Sequence, residues 1–490
     1  MLRNQDTADR WVSFGKSLAV MKYLWLNPKS AAVNMTALVT TVPPAIHEYA
    51  AGGKGSVTLI NGTIARAVLD YGRALKTRSQ GKPPTHLTKG EQAMLEEMAQ
   101  KNWDDPQLAR EARAELSGRM GKAWTWAMDK GMWPFAFTER INRGATMLAA
   151  YRVARRAFPE ASQEALVKRA KHATDRAHGV YGKATQPLWA QGTGAAKRAL
   201  QSALTFTKFG HNYLQMLQEL GMEKKNARAF MYGVLSPGIL AGAKATPLVG
   251  AYIMAADMIA KALGDDRDQE KRFFDMVAAE LGKEGEKTIR YGLAGKVAGI
   301  NISGSLEPNF GFLSPSRPSE VLGAVGGVIN DFGYAWDRIE AGDYWGAAVK
   351  ALPAGPGAIV KAVRESDGVK TGRGRPVYDD RGRPLTLATE DLLRLAAGFQ
   401  PIERSYWTER NWEGRREAGN FSARKSRLYE RLRFAYASGN RERTDALMEE
   451  VREYNRRAGE AGEPGITMEG IRRAMRSMNR ATKRQVAVYR

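Results

Sequence analysis

The chain has 490 residues and no cysteine, and its 75 lysines and arginines outnumber its 52 aspartates and glutamates, so its formal charge is +23 at pH 7. The lack of cysteine excludes a disulfide scaffold, a cysteine-ligated zinc site, an iron–sulfur cluster and a thiol nucleophile. The charge favours polyanionic partners, namely nucleic acid, an anionic membrane surface or acidic protein, although a soluble protein from an arginine-rich proteome would carry it too.

Helical patterns dominate the first half of the chain. An amphipathic stretch covers 11–26 and lacks the continuous apolar run and cleavage site of a secretory signal. Caps and the helical spacing of apolar side chains predict four further helices, at 91–117 (with a break at Asp104-Asp105-Pro106), 134–158, 163–178 (after a Ser162 cap) and 194–220. The predicted fold class is mainly α, an elongated multi-helix assembly with Gly/Pro-rich loops and one small β-hairpin.

Two nearly uncharged stretches, 30–47 and 229–256, allow two interpretations. Prolines and glycines make the second a poor single membrane-spanning helix, and both stretches fit buried helices joined by a turn. They also fit segments that enter a membrane after rearrangement or oligomerisation. In that case the membrane-contact candidates are large apolar side chains of the second stretch: Phe230, Met231, Val234, Leu235, Ile239, Leu240, Leu248, Val249 and Ile253.

The composition changes after residue 264. The charged sequence 265–268 has the character of a hinge before an amphipathic helix at 269–283, and 292–357 is rich in glycine and proline. Alternation around Asp379-Asp380-Arg381-Gly382 predicts a surface hairpin at 375–386. These changes suggest four segments: N-terminal helices (1–90), a helical core with an apolar hairpin (91–264), a Gly/Pro-rich region (265–400) and arginine-rich helices (401–490).

The last 90 residues are basic, with 21 Lys and Arg, of which only two are Lys, against 13 Asp and Glu, a net charge of +8. Helices are predicted at 422–437, 441–458 and 467–484. Guanidinium groups suit phosphate, and neighbouring aromatic rings stack on bases. The DNA-contact candidates are therefore Arg424, Lys425, Arg427, Arg431, Arg433, Arg472, Arg473, Arg476, Arg480, Lys483 and Arg484. The alternative is a solvated helix surface on which these side chains pair with interleaved glutamates.

Motifs for catalysis and for cofactor binding are incomplete. Gly15-Lys16-Ser17 ends like a phosphate-binding loop, but Arg10 stands where its first glycine belongs. Gly355-Pro356-Gly357 follows no clear strand and fits a helix cap better than a dinucleotide site. Glu365-Ser366 opens like the catalytic stretch of lytic transglycosylases, which cut peptidoglycan, but lacks the Gly-Leu-Met-Gln sequence that follows there.

Metal binding is equally unsupported by the sequence. The closest two of the five histidines, His172 and His178, are six residues apart, which is not ligand spacing on a helix. Asp379-Asp380 lacks the alternating oxygen ligands of a calcium loop. We therefore expect no catalytic residues, no cofactor and no metal.

A set of short motifs resembles the C-terminal region of large phage polyvalent proteins, namely the large polyvalent protein-associated and PLxRFG-type helical domains. The motifs span about 15–485, although the PLxRFG string itself is missing. They are Asp175-Arg176-Ala177-His178-Gly179-Val180-Tyr181-Gly182, Gln186-Pro187-Leu188-Trp189 with Gly194, Phe206 and Phe209, Pro237-Gly238-Ile239-Leu240-Ala241-Gly242, Tyr291-Gly292-Leu293, Gly299-Ile300-Asn301-Ile302-Ser303-Gly304, Leu352-Pro353, Ile359-Val360-Lys361-Ala362 and Ala397-Gly398-Phe399-Gln400-Pro401.

This resemblance implies a non-enzymatic structural protein similar to the internal virion (ejection) proteins of short-tailed phages. Such proteins are packaged in the capsid, leave before the genome, and reassemble across the host envelope as a conduit for DNA. The implied partners are double-stranded DNA bound without sequence specificity, other internal virion or portal proteins, further copies of the chain, and the host membrane. A DNA-binding accessory protein of the infected cell is the alternative, and a peptidoglycan lytic factor is a third.

Overall fold

The computed structural model describes residues 7–50, 56–179, 208–263, 265–306, 323–372 and 374–476. Within these ranges the protein is mainly α-helical, which confirms the predicted fold class. The helices, in chain order, are α1 (Thr7–Leu24), α2 (Pro28–Met35), α3 (Ala37–Thr40), α4 (Val42–His47), α5 (Val57–Ser79), α6 (Lys89–Gln100), α7 (Gln107–Ala157), α8 (Gln163–His178), α9 (Lys208–Gln218), α10 (Ala227–Ala241), α11 (Pro247–Ala262), α12 (Gln269–Ala298), α13 (Ser303–Leu306), α14 (Gly323–Glu340), α15 (Tyr344–Ala351), α16 (Ala354–Arg364), α17 (Thr389–Ala396), α18 (Ile402–Ser438), α19 (Arg441–Glu460) and α20 (Met468–Arg476).

Contacts divide the chain into two compact units, each assembled from separated stretches of sequence. The first comprises Met1–Val249, Lys287–Pro376 and Pro384–Ser405. The second comprises Gly250–Glu286, Val377–Arg383 and Tyr406–Arg490.

The core of the first unit forms around the long helix α7. Its C-terminal half contributes a continuous run of fully buried residues, 145–151, because neighbouring helices enclose it. Helix α5 packs along it through Ile60, Ile64 and Tyr71. Helix α8 packs on it as well, and its N-terminus is capped as predicted, because the Ser162 hydroxyl accepts a hydrogen bond from the Ala165 N–H at 3.3 Å.

Helix α7 is longer than predicted, because it continues through Pro134 instead of beginning there. Proline removes one helical N–H and ordinarily kinks or ends a helix. Here the surrounding packing holds the helix: the Gly131 carbonyl accepts a hydrogen bond from the Leu26 N–H at 2.8 Å. Thr138 also donates to the Phe135 carbonyl at 2.9 Å. Tertiary contacts therefore override the local preference.

The two apolar stretches fold as helices joined by turns. The first forms α2, α3 and α4, and every residue of α4 is buried. The second forms α10, a left-handed turn residue at Gly242, a short 3₁₀ segment (Ala243–Ala245) and then α11. Both placements agree with the interpretation as helices joined by a turn.

The one regular strand pair among the described residues lies away from the expected hairpin. Strand β1 (Ile300–Asn301) pairs antiparallel with β2 (Gln400–Pro401). In the expected hairpin region the Asp379 N–H bonds the Arg383 carbonyl at 2.9 Å, so the turn is present. Pro376 and Pro384 have no N–H to donate, which explains why no regular ladder extends from that turn.

Candidate nucleic-acid interface

The three arginine-rich helices pack around their own apolar cluster in the second unit. Helix α18 begins at Ile402, twenty residues earlier than predicted, and its C-terminal half packs against α19 and α20. Asn440 caps α19 by accepting a hydrogen bond from the Arg443 N–H at 2.9 Å. The buried side chains of the cluster are Phe421, Leu428, Leu432, Ala435, Leu447, Val451, Tyr454, Ala458, Ile466 and Ile471.

Three of the DNA-contact candidates make contacts within the second unit. Arg431 forms a bidentate ion pair with Glu450, with N–O distances of 2.6 and 2.8 Å. Arg424 lies 3.4 Å from the Asp266 carboxylate, and Lys425 donates to the carbonyls of Pro464 and Gly465. Arg433 differs from these three, because its Nε is buried without a hydrogen-bond partner among the described residues. The contacts of Arg431, Arg424 and Lys425 favour the interpretation as a paired helix surface at these three positions.

The described candidates on α20 are exposed instead. Arg473 pairs with Glu469 at 3.1 Å, but both side chains are at least 80% exposed, so the pair contributes little to stability. Arg472 and Arg476 are exposed, four residues apart on one helical face, and have no ion pair or hydrogen bond with any described residue. We call Arg472, Arg473 and Arg476 the terminal arginine face.

The remaining DNA-contact candidates are Arg427, Arg480, Lys483 and Arg484. Arg427 is exposed on α18. Burial raises the pKa of Asp266, and the charges of Arg424 and Arg427 oppose that rise only in part. Arg480, Lys483 and Arg484 lie outside the described residues. Of the aromatic neighbours, Tyr436 is 37% exposed and accessible for stacking.

The membrane-contact candidates divide into buried and exposed sets. Val234 is buried, and Phe230 and Leu240 pack against apolar clusters of the first unit. Val249 and Ile253 are half-buried, and the side chain of Leu248 lies outside the described residues. Met231, Leu235 and Ile239 repeat every four residues on the outer face of α10 and are 48%, 46% and 60% exposed. None of the helices in the described ranges combines the length and the apolar character needed to cross a membrane.

Glu365 is placed for structure. Its side chain is 1% exposed, and Arg404 donates two hydrogen bonds to its carboxylate, from Nε at 2.6 Å and from Nη2 at 2.9 Å. A carboxylate engaged on both oxygens by a guanidinium is poorly suited to deliver a proton to a substrate. Gly355, from the Gly-Pro-Gly sequence, lies in the first turn of α16, where an added Cβ would be 1.9 Å from the Leu26 carbonyl oxygen.

His178, which lies in one of the resembling motifs, and His172 also serve the fold. His178 is buried, its Nε2 lies 2.7 Å from the Thr146 hydroxyl, and burial lowers its pKa to about 3, so it is neutral at pH 7. His172 contacts the Tyr49 hydroxyl through Nδ1 at 2.6 Å. In the part of the chain that the structure describes, no three side chains of the metal-binding types come together.

A basic cleft in the first unit was missed by the sequence analysis. Helices α5, α6 and α7 enclose a cavity of about 480 Å³. Its lining residues are Thr63, Arg66, Asp70, Thr88, Glu91, Tyr151, Arg152, Val153, Arg155 and Arg156. The sequence offers one signal for this cleft, the adjacent Arg155 and Arg156 at the end of a helix. It does not show that Arg66, on a helix almost ninety residues earlier, lies beside them.

One half-buried cation organises this cleft. Arg152 pairs with Asp70 at 2.8 Å and with Glu91 at 2.6 Å. Burial alone would raise the pKa of Glu91, but hydrogen bonds from Arg152 and from the Thr88 N–H outweigh burial and lower it. Glu91 is therefore ionised at pH 7, and Arg152 engages the carboxylates of both Glu91 and Asp70. Counted together, the four arginines and two acids that line the cleft carry a net charge of +2.

Models of known protein families, curated proteins and solved structures were all compared with the chain, and none matches. The resemblance to phage polyvalent domains therefore rests on the motifs quoted for it.

Proposed function

We propose that the chain is a non-enzymatic internal virion protein of a bacteriophage, which oligomerises and forms or lines a conduit for genome delivery across the host envelope. It resides in the capsid interior before ejection and in the host cell envelope afterwards. The motif resemblance, the charge of +23 and the mainly α-helical fold support this proposal.

Contact with DNA is the part of the proposal for which specific residues can be named. The observation that supports it is that Arg472 and Arg476 are exposed on one face of α20 without a carboxylate partner among the described residues. Such guanidinium groups bind backbone phosphates of any sequence and release the counterions condensed on the DNA. The expected binding is non-specific and strongly dependent on salt.

Oligomerisation is supported by an exposed apolar stripe on α14. Ile329, Phe332, Trp336 and Ile339 are spaced by three and four residues, so they share one helical face, and each is 44–63% exposed. A stripe of this kind is typical of a surface that another protein covers. Sedimentation of the purified chain tests this part, and a monomer at all concentrations would contradict it.

The membrane part depends on the outer face of α10. Met231, Leu235 and Ile239 present apolar area without the length of a spanning helix. Binding of the oligomer to liposomes, reduced by M231S/L235S/I239S, is the expected result. No association of the oligomeric form with liposomes would remove membrane contact from the proposal.

The second candidate is a DNA-binding accessory protein that acts in the infected cell. The terminal arginine face fits this function equally well. Mass spectrometry of purified virions separates the two, because an internal virion protein is present in the particle and an accessory protein is absent from it. A lytic function is the least supported, since Arg404 occupies the Glu365 carboxylate.

A further inference from the structure

The charges around the cavity of α5, α6 and α7 do not balance. Its walls carry four arginines and two acids, and both acids are engaged by Arg152. Arg66, Arg155 and Arg156 are exposed and form no ion pair with a described residue. Three exposed guanidinium groups thus share one concave surface on which positive charges outnumber negative charges by two.

The position of Arg155 is set by a partly exposed hydrogen-bond network. Its Nη1 donates to the Tyr151 hydroxyl at 3.2 Å, and that hydroxyl donates to Gln163 Oε1 at 2.6 Å. Gln163 Nε2 in turn bonds the Gly90 carbonyl at 2.8 Å. A Cβ at Gly90 would lie 2.4 Å from the Tyr151 oxygen, so this glycine permits the approach of α6 to the network.

The acceptors and donors near Thr88 are fixed as well. Thr88 and Glu91 form a reciprocal capping box at the start of α6, in which the Thr88 N–H bonds Glu91 Oε2 at 2.8 Å. Arg152 then joins the second oxygen of Glu91 to Asp70. The wall of the cavity is therefore ordered before any ligand arrives, which lowers the entropic cost of binding.

A purely structural explanation covers only part of this arrangement. Arg155 and Arg156 lie in the last turn of α7, where cations interact favourably with the helix dipole. That account does not explain Arg66, which lies in the middle of α5 and faces the same cavity.

We propose that this cleft is an anion site that binds a phosphate-bearing ligand, with Arg66, Arg155 and Arg156 as its phosphate contacts. Guanidinium groups bind phosphate oxygens through paired hydrogen bonds, and a cavity of about 480 Å³ falls within the range of small-ligand sites. The phosphate is carried either by a free nucleotide or by the backbone of a nucleic acid. The site does not depend on the virion role proposed above.

The test measures binding of ATP and of a 20-base-pair DNA duplex to the full chain by calorimetry at low salt. R155Q/R156Q is compared with the wild type, with R155K/R156K, which keeps the charge, and with R472Q/R476Q, which leaves the cleft intact. We expect R155Q/R156Q to weaken binding of at least one probe by about tenfold or more, and R155K/R156K to restore part of it. Circular dichroism and the thermal unfolding midpoint verify that each variant is folded.

The two probes distinguish the source of the phosphate. Loss of ATP binding in R155Q/R156Q, but not in R472Q/R476Q, assigns the site to a free nucleotide. Loss of DNA binding alone in R155Q/R156Q assigns it to the backbone of a nucleic acid. Unchanged affinity of folded R155Q/R156Q for both probes, or no binding of either probe by the wild type, would overturn the proposal.

Discussion

Gly242 and Gly292 place two distant segments of the first unit in direct backbone contact. A Cβ added at Gly242 would lie 1.9 Å from the Arg290 carbonyl oxygen, and one added at Gly292 would lie 2.5 Å from the Gly242 nitrogen. Both residues have positive φ, +93° and +62°. The two motifs that contain them therefore determine how α10 and α12 meet, which is a structural role for both motifs.

The G242A and G292A variants are expected to destabilise the first unit strongly. A side chain at these positions adds a backbone clash to the left-handed strain, and we expect a loss of at least 3 kcal/mol in free energy of unfolding. G282A is the matched control, since Gly282 has φ +69° but no atom within 4 Å of the added Cβ. It should cost only about 1–2 kcal/mol. Urea unfolding measures both, and equal losses in G242A and G282A would contradict the contact.

The Glu365–Arg404 pair is expected to matter for stability and not for catalysis. Removing one member of a buried, bidentate pair leaves an uncompensated charge, so R404M should cost about 3–5 kcal/mol. E365Q should also destabilise, and peptidoglycan zymograms should show no lytic band for either the wild type or E365Q. Lytic activity that E365Q abolishes would contradict this assignment and restore the enzyme hypothesis.

Lys361 makes the free energy of unfolding depend on pH above neutrality. Burial, and after it the charge of Arg404, lowers its pKa to about 7, while Glu365 acts in the opposite direction and Lys29 and Lys350 add repulsion. The ordinary pKa of a lysine is 10.5, so between pH 7 and 10.5 this side chain is protonated in the unfolded chain and neutral in the folded one. Stability contributed through this lysine therefore rises with pH across that window, by at most about 1.4 kcal/mol per pH unit.

The K361M variant tests this dependence. Its free energy of unfolding should rise less steeply between pH 7 and 10 than that of the wild type, and the two should differ least at high pH. K168M is the control, because Lys168 is exposed on α8. Wild type and K361M with parallel pH profiles would contradict a lowered pKa at Lys361.

Salt dependence of DNA binding tests the terminal arginine face. Each phosphate contact contributes about −0.9 to the slope of log affinity against log salt, so R472Q/R476Q should flatten the slope by about 1.8. R452Q/R456Q is a matched control, since it removes two exposed arginines that already pair with Glu449, Glu453 and Glu460 on α19. Equal slopes for the two double variants would argue against a special role for α20.

Local signals in the sequence predicted local structure well. The Ser162 cap, the helix at 163–178 and the turn at 379–382 all follow from residues within a few positions of each other. The continuation of α7 through Pro134 does not follow from nearby residues, because a contact with Leu26 supports the helix there. The pairing of Ile300 with Pro401 is equally hidden, since it joins residues a hundred positions apart.

The candidate sites, too, were predictable only as far as local sequence patterns determine them. Charge and helical spacing pointed to the arginines of 401–490, but not to which of them face a carboxylate. Arg431 meets Glu450 across two helices, whereas Arg472 does not meet one among the described residues. The cleft at Arg66 and Arg155 depends on the packing of α5 against α7, which no short-range pattern reveals.

Quantitative mass spectrometry of purified virions, before and after triggered genome ejection, tests whether the chain is an internal virion protein. The virions are purified from cultures of the cells that carry the gene for the chain. An internal virion protein should be present in several copies per intact particle and should be lost from emptied particles. Absence of the chain from intact virions would contradict the proposal.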